Sequence, residues 1–363
     1  MMKKNLLLLP LAAMLISCGG GHYWKGADIG WATQLEANGQ YFYNEEGEKV
    51  ECTRLMKDLG LDAVRFRVWV DPSKHGNWNG AEDLLVKASR ARDLGMEIMI
   101  DFHYSDFWAD PQKQNIPAAW SGKPYEEIRE LLAQHTKDIL NMLKDNGITP
   151  KWVQVGNETS NGFLWTVKGN AWGDPVKDSL GRINILESVG HLRNNPSQYA
   201  GLFSAGYDAV KSVFPKAEVI VHLDNGFYQP LYDSNLDTLA KYGAKWDIVG
   251  MSLYPYWALN SGLETDEEEV ITHCMENINH VWEKYRTPVM IVETGFEVDE
   301  QHPEVMEKGR DQLRRIIRES KATGHCQGIF YWEPECRPGQ YKLGAFTSDG
   351  RPTVIMDAFK DEY

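Results

Sequence analysis

Apolar residues in this chain fall into two kinds of run that alternate along its length. Short, nearly continuous runs rich in Val, Ile, Phe and Trp occur at Trp24–Ile29, Ala63–Val70, Glu97–Tyr104, around Trp152, Val153 and Val155, and at Glu218–Asp224, Asp247–Tyr254, Val289–Thr294 and Gly328–Trp332. Runs apolar at nearly every position predict strands buried on both faces. Between them lie stretches with apolar positions at helical spacing: Val50–Leu59, Gly80–Leu94, Tyr125–Asn146, Gln198–Val213, Leu231–Tyr242, Asp266–Tyr285 and Pro303–Ala322. Gly60, Gly95, Gly147, Gly243 and Gly324 follow five of these stretches, where a helix C-terminus favours glycine. Thr33–Glu48, Ser105–Lys123 and Ser160–Asn195 read as loops. Strands alternating with helices predict a parallel sheet with helical crossovers. Eight such units predict closure into a (β/α)8 TIM barrel, an α/β fold in a single domain. The rival, an open doubly wound sheet, usually has a Gly-rich phosphate turn after its first strand. Gly26-Ala27-Asp28-Ile29-Gly30 does not match that turn.

Barrels of this kind carry their chemistry at the C-terminal strand ends. Here those ends supply Arg65 and Arg67, then Asp101, His103 and Tyr104, then Asn157 and Glu158, His222 and Asp224, Tyr254, Glu293, and finally Trp332 and Glu333. Two carboxyl groups flanking one bond are what glycoside hydrolysis needs. Glu158 on the fourth strand and Glu293 on the seventh are candidates for that pair. Either alone could simply be an arginine's partner at the barrel rim, and Arg65 or Arg67 could serve only to neutralise a core carboxylate.

The segments GADIGW (26–31), FYNEEG (42–47), VRFRVWVDP (64–72), MIDFHYSDFWADPQKQ (99–114), VQVGNET (153–159), SLYPYW (252–257) and IVETG (291–295) closely resemble glycoside hydrolase family 53, the endo-β-1,4-galactanases of clan A. The resemblance runs from about Lys25 to the C-terminus. It implies endo-acting, retaining cleavage of β-1,4-galactan, the side chains of pectin, with Glu158 as acid/base and Glu293 as nucleophile. On that basis Asn157 is expected to bond the sugar 2-hydroxyl, and Tyr254 to orient Glu293. Arg67, with Arg65 in support, is expected to keep Glu293 ionised. Trp332 is expected to stack on a sugar face, and His103 to bond a hydroxyl or support the carboxylates. Asp101, Trp108, His222, Asp224 and Trp257 complete the expected substrate-binding set, and Trp120, Trp165 and Trp172 are further candidate platforms. Several bacterial members of the family bind calcium in a long loop after strand seven. Phe296–Glu304 (FEVDEQHPE) is short and lacks that loop's acidic run, so no metal and no cofactor is expected.

Composition adds limits. The net charge is −14 over 363 residues, which opposes nucleic-acid binding. Met1–Lys4 is basic, Leu6–Ile16 is apolar and too short to span a bilayer, and Leu15-Ile16-Ser17-Cys18 resembles a bacterial lipoprotein processing box. The expected division is a signal peptide over 1–17, a lipidated Cys18 with a short tether over 18–23, and the catalytic barrel over 24–363. That implies an exported lipoprotein at the outer membrane and cell surface or facing the periplasm, touching the membrane through its anchor only. A monomer is expected. Cys52, Cys274, Cys326 and Cys336 have no zinc spacing and read as buried thiols or as bridges whose pairing the sequence leaves open. Two other readings stay open on the residues alone: a clan A mannanase or cellulase, and a surface glycan-binding lipoprotein without catalysis.

Overall fold

The structure is a computed structural model that describes residues 21–166 and 188–363. Eight parallel strands close into a barrel: β1 Trp24–Asp28, β2 Ala63–Val68, β3 Glu97–Phe102, β4 Trp152–Val155, β5 Glu218–Leu223, β6 Ile248–Leu253, β7 Val289–Thr294 and β8 Cys326–Trp332. Each strand pairs with its neighbours in sequence, and β1 closes the ring on β8 through Trp24↔Gly328 to Asp28↔Trp332. The crossover helices among the described residues are α1 Cys52–Asp58, α2 Ala81–Asp93, α3 Tyr125–Asp145, α4 Pro196–Val213, α5 Gln229–Lys241, α6 Glu267–Tyr285 and α7 Pro303–Ala322. The five glycines at the expected helix ends all take positive φ, from 67° at Gly95 to 93° at Gly60.

Helix burial follows the sequence spacing. In α3 the buried residues Ile128, Leu132, Thr136, Ile139, Leu140 and Leu143 form one stripe. Each large aliphatic side chain buried there contributes about 1.5–3 kcal/mol against leaving it in water. The region read as loop at Thr33–Glu48 contains a one-and-a-half-turn helix, Ala32–Ala37, and half of a small antiparallel pair, Phe42–Tyr43 with Lys49–Val50. Pro255–Ser261 is a further short helix at the lip of β6.

The barrel interior is graded. At the N-terminal end, Ala63, Met99, Trp152, Ile220, Ile248, Met290, Val292 and Phe330 fill it with apolar side chains. Gly26 makes room: a Cβ there would lie 2.4 Å from the Phe330 ring. Two residues further along the strands, and four along β6, the inward filling becomes polar: Asp28, Arg65, Asp101, Gln154, His222 and Ser252, all buried. Period-two alternation carries each strand from one layer to the other. The polar layer is the floor of the site.

Candidate active site

Arg65 is the centre of that floor. Its side chain is fully enclosed and makes bonds to Asp28 Oδ2 (2.8 Å), Asp101 Oδ2 (2.9 Å), Asn157 Oδ1 (2.8 Å) and Glu293 Oε1 (2.9 Å). A guanidinium suits the position because its planar fork can serve several acceptors at once. Arg67, two residues on, pairs with Glu333 and Asp28 instead, with its guanidinium 4.1 Å from the centre of the Trp108 ring. The sequence expectation that Arg67 leads in holding Glu293 is therefore corrected: Arg65 does so, because it sits one layer lower on β2 and its guanidinium reaches Glu293 across the barrel interior.

Glu293 reaches this position through an irregularity. Met290 and Val292 point into the barrel, so strict alternation would turn Glu293 outward. The β6–β7 register shifts between Met251↔Ile291 and Ser252↔Glu293, and the shift brings the carboxylate inward. Bulges commonly re-aim side chains near active sites. Tyr254 donates its hydroxyl to Glu293 Oε2 at 3.1 Å. Burial pushes the Glu293 carboxyl up to about 7, with Arg65 opposing, Asp101 adding to the rise and the Tyr254 bond opposing it.

Glu158 lies beyond β4 on a tight turn, at φ 48° just after Gly156 at φ 83°. A non-glycine residue there costs about 1–2 kcal/mol, consistent with a functional constraint. Its neighbours differ in kind from those of Glu293. Ser252 donates to its Oε1 at 2.6 Å. No arginine or lysine pairs with it among the described residues. Burial, the charge of Glu293, and then Asp224 hold its carboxyl well above the usual range. The two glutamates thus share one electrostatic site, but only one has a cation. Both carboxyls are raised, and the arginine that opposes the rise stands beside Glu293 alone among the described residues.

The remaining expected residues sort by exposure. Asn157 is nearly buried and bonds Arg65 and the carbonyl of Ala109 (2.8 Å). His103 has both ring nitrogens engaged, Nε2 with Asp101 (3.0 Å) and Nδ1 with the N–H groups of Trp69 (3.2 Å) and Ala109 (3.1 Å). Asp101, Arg67 and His222 have no exposed surface. Asp101 and His222 spend their polar atoms on protein neighbours, while Arg67 pairs with Glu333 and leaves Nε and Nη2 without a partner. Asp224 is part-exposed, accepts from Ser160, and is raised to about 6 mainly by burial.

The aromatic residues form a wall. Trp332 stands 4.6 Å from Tyr341, 5.8 Å from Trp108 and 6.1 Å from Trp31, ring centre to ring centre. Trp257 is exposed on the Pro255–Ser261 helix and lies against Tyr341. The wall continues into a cavity of about 430 Å³ between the loops after β1, β2 and β3, lined by Trp31, Trp69, Trp78, Phe107 and Trp108 with Gln34 and Asn38. Trp120 and Trp165, expected as platforms, are buried in loop packing. Trp172 and Cys18 lie outside the described residues.

Sequence reasoning passed over Gln154, Ser252 and Glu335. The first two are polar residues at inward positions of otherwise apolar strands, and that was a readable signal. Glu335 is fully buried beside Glu333: burial first, then the Glu333 charge, holds its carboxyl well above the usual range. The four described cysteines are free and buried. Among the described residues no group of three or more His, Cys, Asp or Glu converges as a metal site, and no helix is long and apolar enough to cross a membrane. In the short segment after β7, the Asp299 carboxylate caps the N–H groups of Gln301 and His302 and bonds the His302 ring.

Comparison with known proteins places this arrangement. The chain is 28% identical over 363 residues to an endo-β-1,4-galactanase of Bacillus subtilis, covering 92% of this chain and 74% of that one. It is 29% identical over 358 residues to an uncharacterised protein of Niallia circulans, covering 93% and 90%. A structure of fungal β-1,4-galactanases superposes with a TM-score of 0.77 at 23% identity, covering 93% of this chain and 99% of that one. At that identity the likeness shows the fold. The sequence model of Glycosyl hydrolase family 53 matches residues 24–351, nearly the whole barrel, and the chain belongs to that family.

Proposed function

We propose that this protein is an endo-acting, retaining β-1,4-galactanase that uses Glu158 as acid/base and Glu293 as nucleophile. The observation that carries the reading is the unequal pair: Glu293 held by Arg65 and Tyr254, and Glu158 coupled to it with no cation partner among the described residues. Family membership, and the galactanase names of relatives that match nine-tenths or more of this chain, support galactan as the substrate.

The chemistry follows from these environments. Glu293 attacks the anomeric carbon while Glu158 gives its proton to the departing glycosidic oxygen. The product is a galactosyl ester on Glu293. Ester formation removes the Glu293 charge, so the proton affinity of Glu158 falls. Glu158, now ionised, takes a proton from water as that water attacks the same carbon, and the sugar leaves with its original configuration. Asn157 sits beside Arg65 where it can bond the 2-hydroxyl, and Trp332 offers an aromatic face to the sugar ring. The aromatic cavity beyond Trp108 extends the trench for further sugar units, as cleavage within a polymer requires. No cofactor is needed for these steps.

Pectic galactan as the natural source and lipid anchoring through Cys18 belong to the same proposal; the Leu-Ile-Ser-Cys run supports the anchor. The test is a comparison of linear galactan, mannan and cellulose, with anomeric NMR on the first products. Shortening of galactan with β-configured ends is expected. Activity on mannan alone, or initial α-anomers, overturns the proposal.

A further inference from the structure

A buried hydrogen-bond chain runs behind the site, from Asp101 to Glu158. Asp101 is an ionised acceptor: Arg65 and His103 keep its carboxyl below the usual range against the opposing effect of burial. Its Oδ1 takes one N–H of Gln154 at 2.6 Å, and around the other N–H His222 Nδ1 at 2.9 Å is nearer than Asn157 Oδ1 (3.2 Å) and the Gly156 carbonyl (3.3 Å). The backbone N–H of Glu158 faces the same nitrogen at 3.3 Å. Asn157 Oδ1 also lies 3.0 Å away and has a lone pair beside the one Arg65 takes, but a hydrogen on Nδ1 would leave the backbone N–H of Glu158 without its acceptor. Two N–H groups directed at Nδ1 make it an acceptor, which places the imidazole hydrogen on Nε2. Nε2–H then donates to Ser252 Oγ at 2.8 Å, and the single hydroxyl hydrogen of Ser252 is left for Glu158 Oε1 at 2.6 Å. His222 is fully buried and its basicity is depressed, first by burial and then by Arg65, so it stays neutral and the direction of the chain does not reverse.

We propose that Ser252 and His222 are positioning residues for the acid/base step. Because Oε1 always receives the Ser252 hydrogen, the catalytic proton resides on Oε2, the oxygen free to face the leaving group. The same bond stabilises ionised Glu158, which assists the second step, when Glu158 must act as a base. The other groups acting on Glu158 are fixed by the fold: Glu293 on β7, Asp224 after β5, and Asp110 in the loop after β3. Tyr254 after β6 and Tyr341 beyond β8 also sense its charge. Ser252 is the group that donates a hydroxyl hydrogen to Glu158, and its loss has a defined sign.

This inference rests on the acid/base reading of Glu158, and the test separates the two. The variant is Ser252→Ala, assayed on galactan and on 2,4-dinitrophenyl β-galactobioside, whose leaving group departs without protonation. Thermal melting reports folding. Galactan kcat/KM is expected to fall about ten- to a hundred-fold, within what one acid catalyst contributes. The activated substrate is expected to stay within about two-fold in its glycosylation step, and the basic limb on galactan to move to higher pH. Equal losses on both substrates, or a basic limb that does not rise, overturn the proposal. Independently of any variant, nitrogen-15 shifts of His222 should show a protonated Nε2 and an unprotonated Nδ1; the opposite tautomer overturns it. Glu158→Ala serves as the companion. If it loses equally on both substrates, the acid/base reading falls and the relay with it. If it discriminates between them and Ser252→Ala does not, the relay alone falls.

Discussion

Replacing Arg65 by methionine tests the electrostatic centre of the site. The guanidinium bonds Asp28, Asp101, Asn157 and Glu293 at 2.8–2.9 Å within a fully buried layer. Methionine keeps much of the volume and removes the charge. Breaking a buried pair by removing one partner costs about 3–5 kcal/mol, because the remaining charges stay buried. The cost should depend on pH. Glu293 already has a folded-state value near 7, above that of an unfolded glutamate. A raised carboxyl lowers stability as pH rises from the unfolded value through the folded one, since the folded state binds more protons over that window. Removing an adjacent cation raises such a group by about a further 1–3 pH units. The window therefore extends upward, and the variant's deficit should be larger at pH 8 than at pH 5.5. Urea unfolding at the two pH values reads this directly. In parallel, the acidic limb of kcat/KM on galactan should move up by at least about one unit, because Glu293 must be ionised to attack. A deficit equal at both pH values, together with an unmoved acidic limb, would refute the role given to Arg65. Arg65→Lys, which keeps the charge but not the four-way geometry, should fall between variant and wild type.

Other outcomes follow from individual contacts. Tyr254→Phe removes a 3.1 Å bond to Glu293 and should lower galactan kcat about ten-fold or more, since bonds to charged groups contribute about 1.5–3 kcal/mol, with little change in melting temperature. Cys52, Cys274, Cys326 and Cys336 are buried as free thiols, so a thiol reagent should modify them only after unfolding, and reductant should leave the melting temperature unchanged. Cys18→Ala should abolish incorporation of labelled fatty acid in the producing cell while leaving galactan cleavage by the purified barrel intact.

Much of the barrel was legible because each strand is a short run buried on both faces and each helix carries a separate stripe. Val289–Thr294 and Pro303–Ala322 were read to the residue. The short helices Ala32–Ala37 and Pro255–Ser261 were not, since fewer than two turns carry too little periodicity. At the site, strand ends drew attention to Glu158, Glu293 and Tyr254. The exchange of roles between Arg65 and Arg67 was not readable. Both point inward with period two, and only the height of each in the closed barrel decides which one meets Glu293 across the interior. The inward turn of Glu293 depends on a register shift that has no sequence signature of its own. Gln154 and Ser252 lie below the strand tips, within otherwise apolar runs. Each is a polar residue in line with an apolar inward position, Trp152 for one and Ile248 for the other, and a buried polar residue of that kind needs a partner.

The division of labour between the two glutamates is tested most directly by trapping the covalent intermediate. The enzyme would be incubated with a 2-deoxy-2-fluoro β-galactobiosyl fluoride and its peptides mapped by mass spectrometry. A galactobiosyl label on Glu293, formed with loss of activity and absent from Glu293→Gln, is the expected result. A label on Glu158, or inactivation without any covalent adduct, would contradict the assignment.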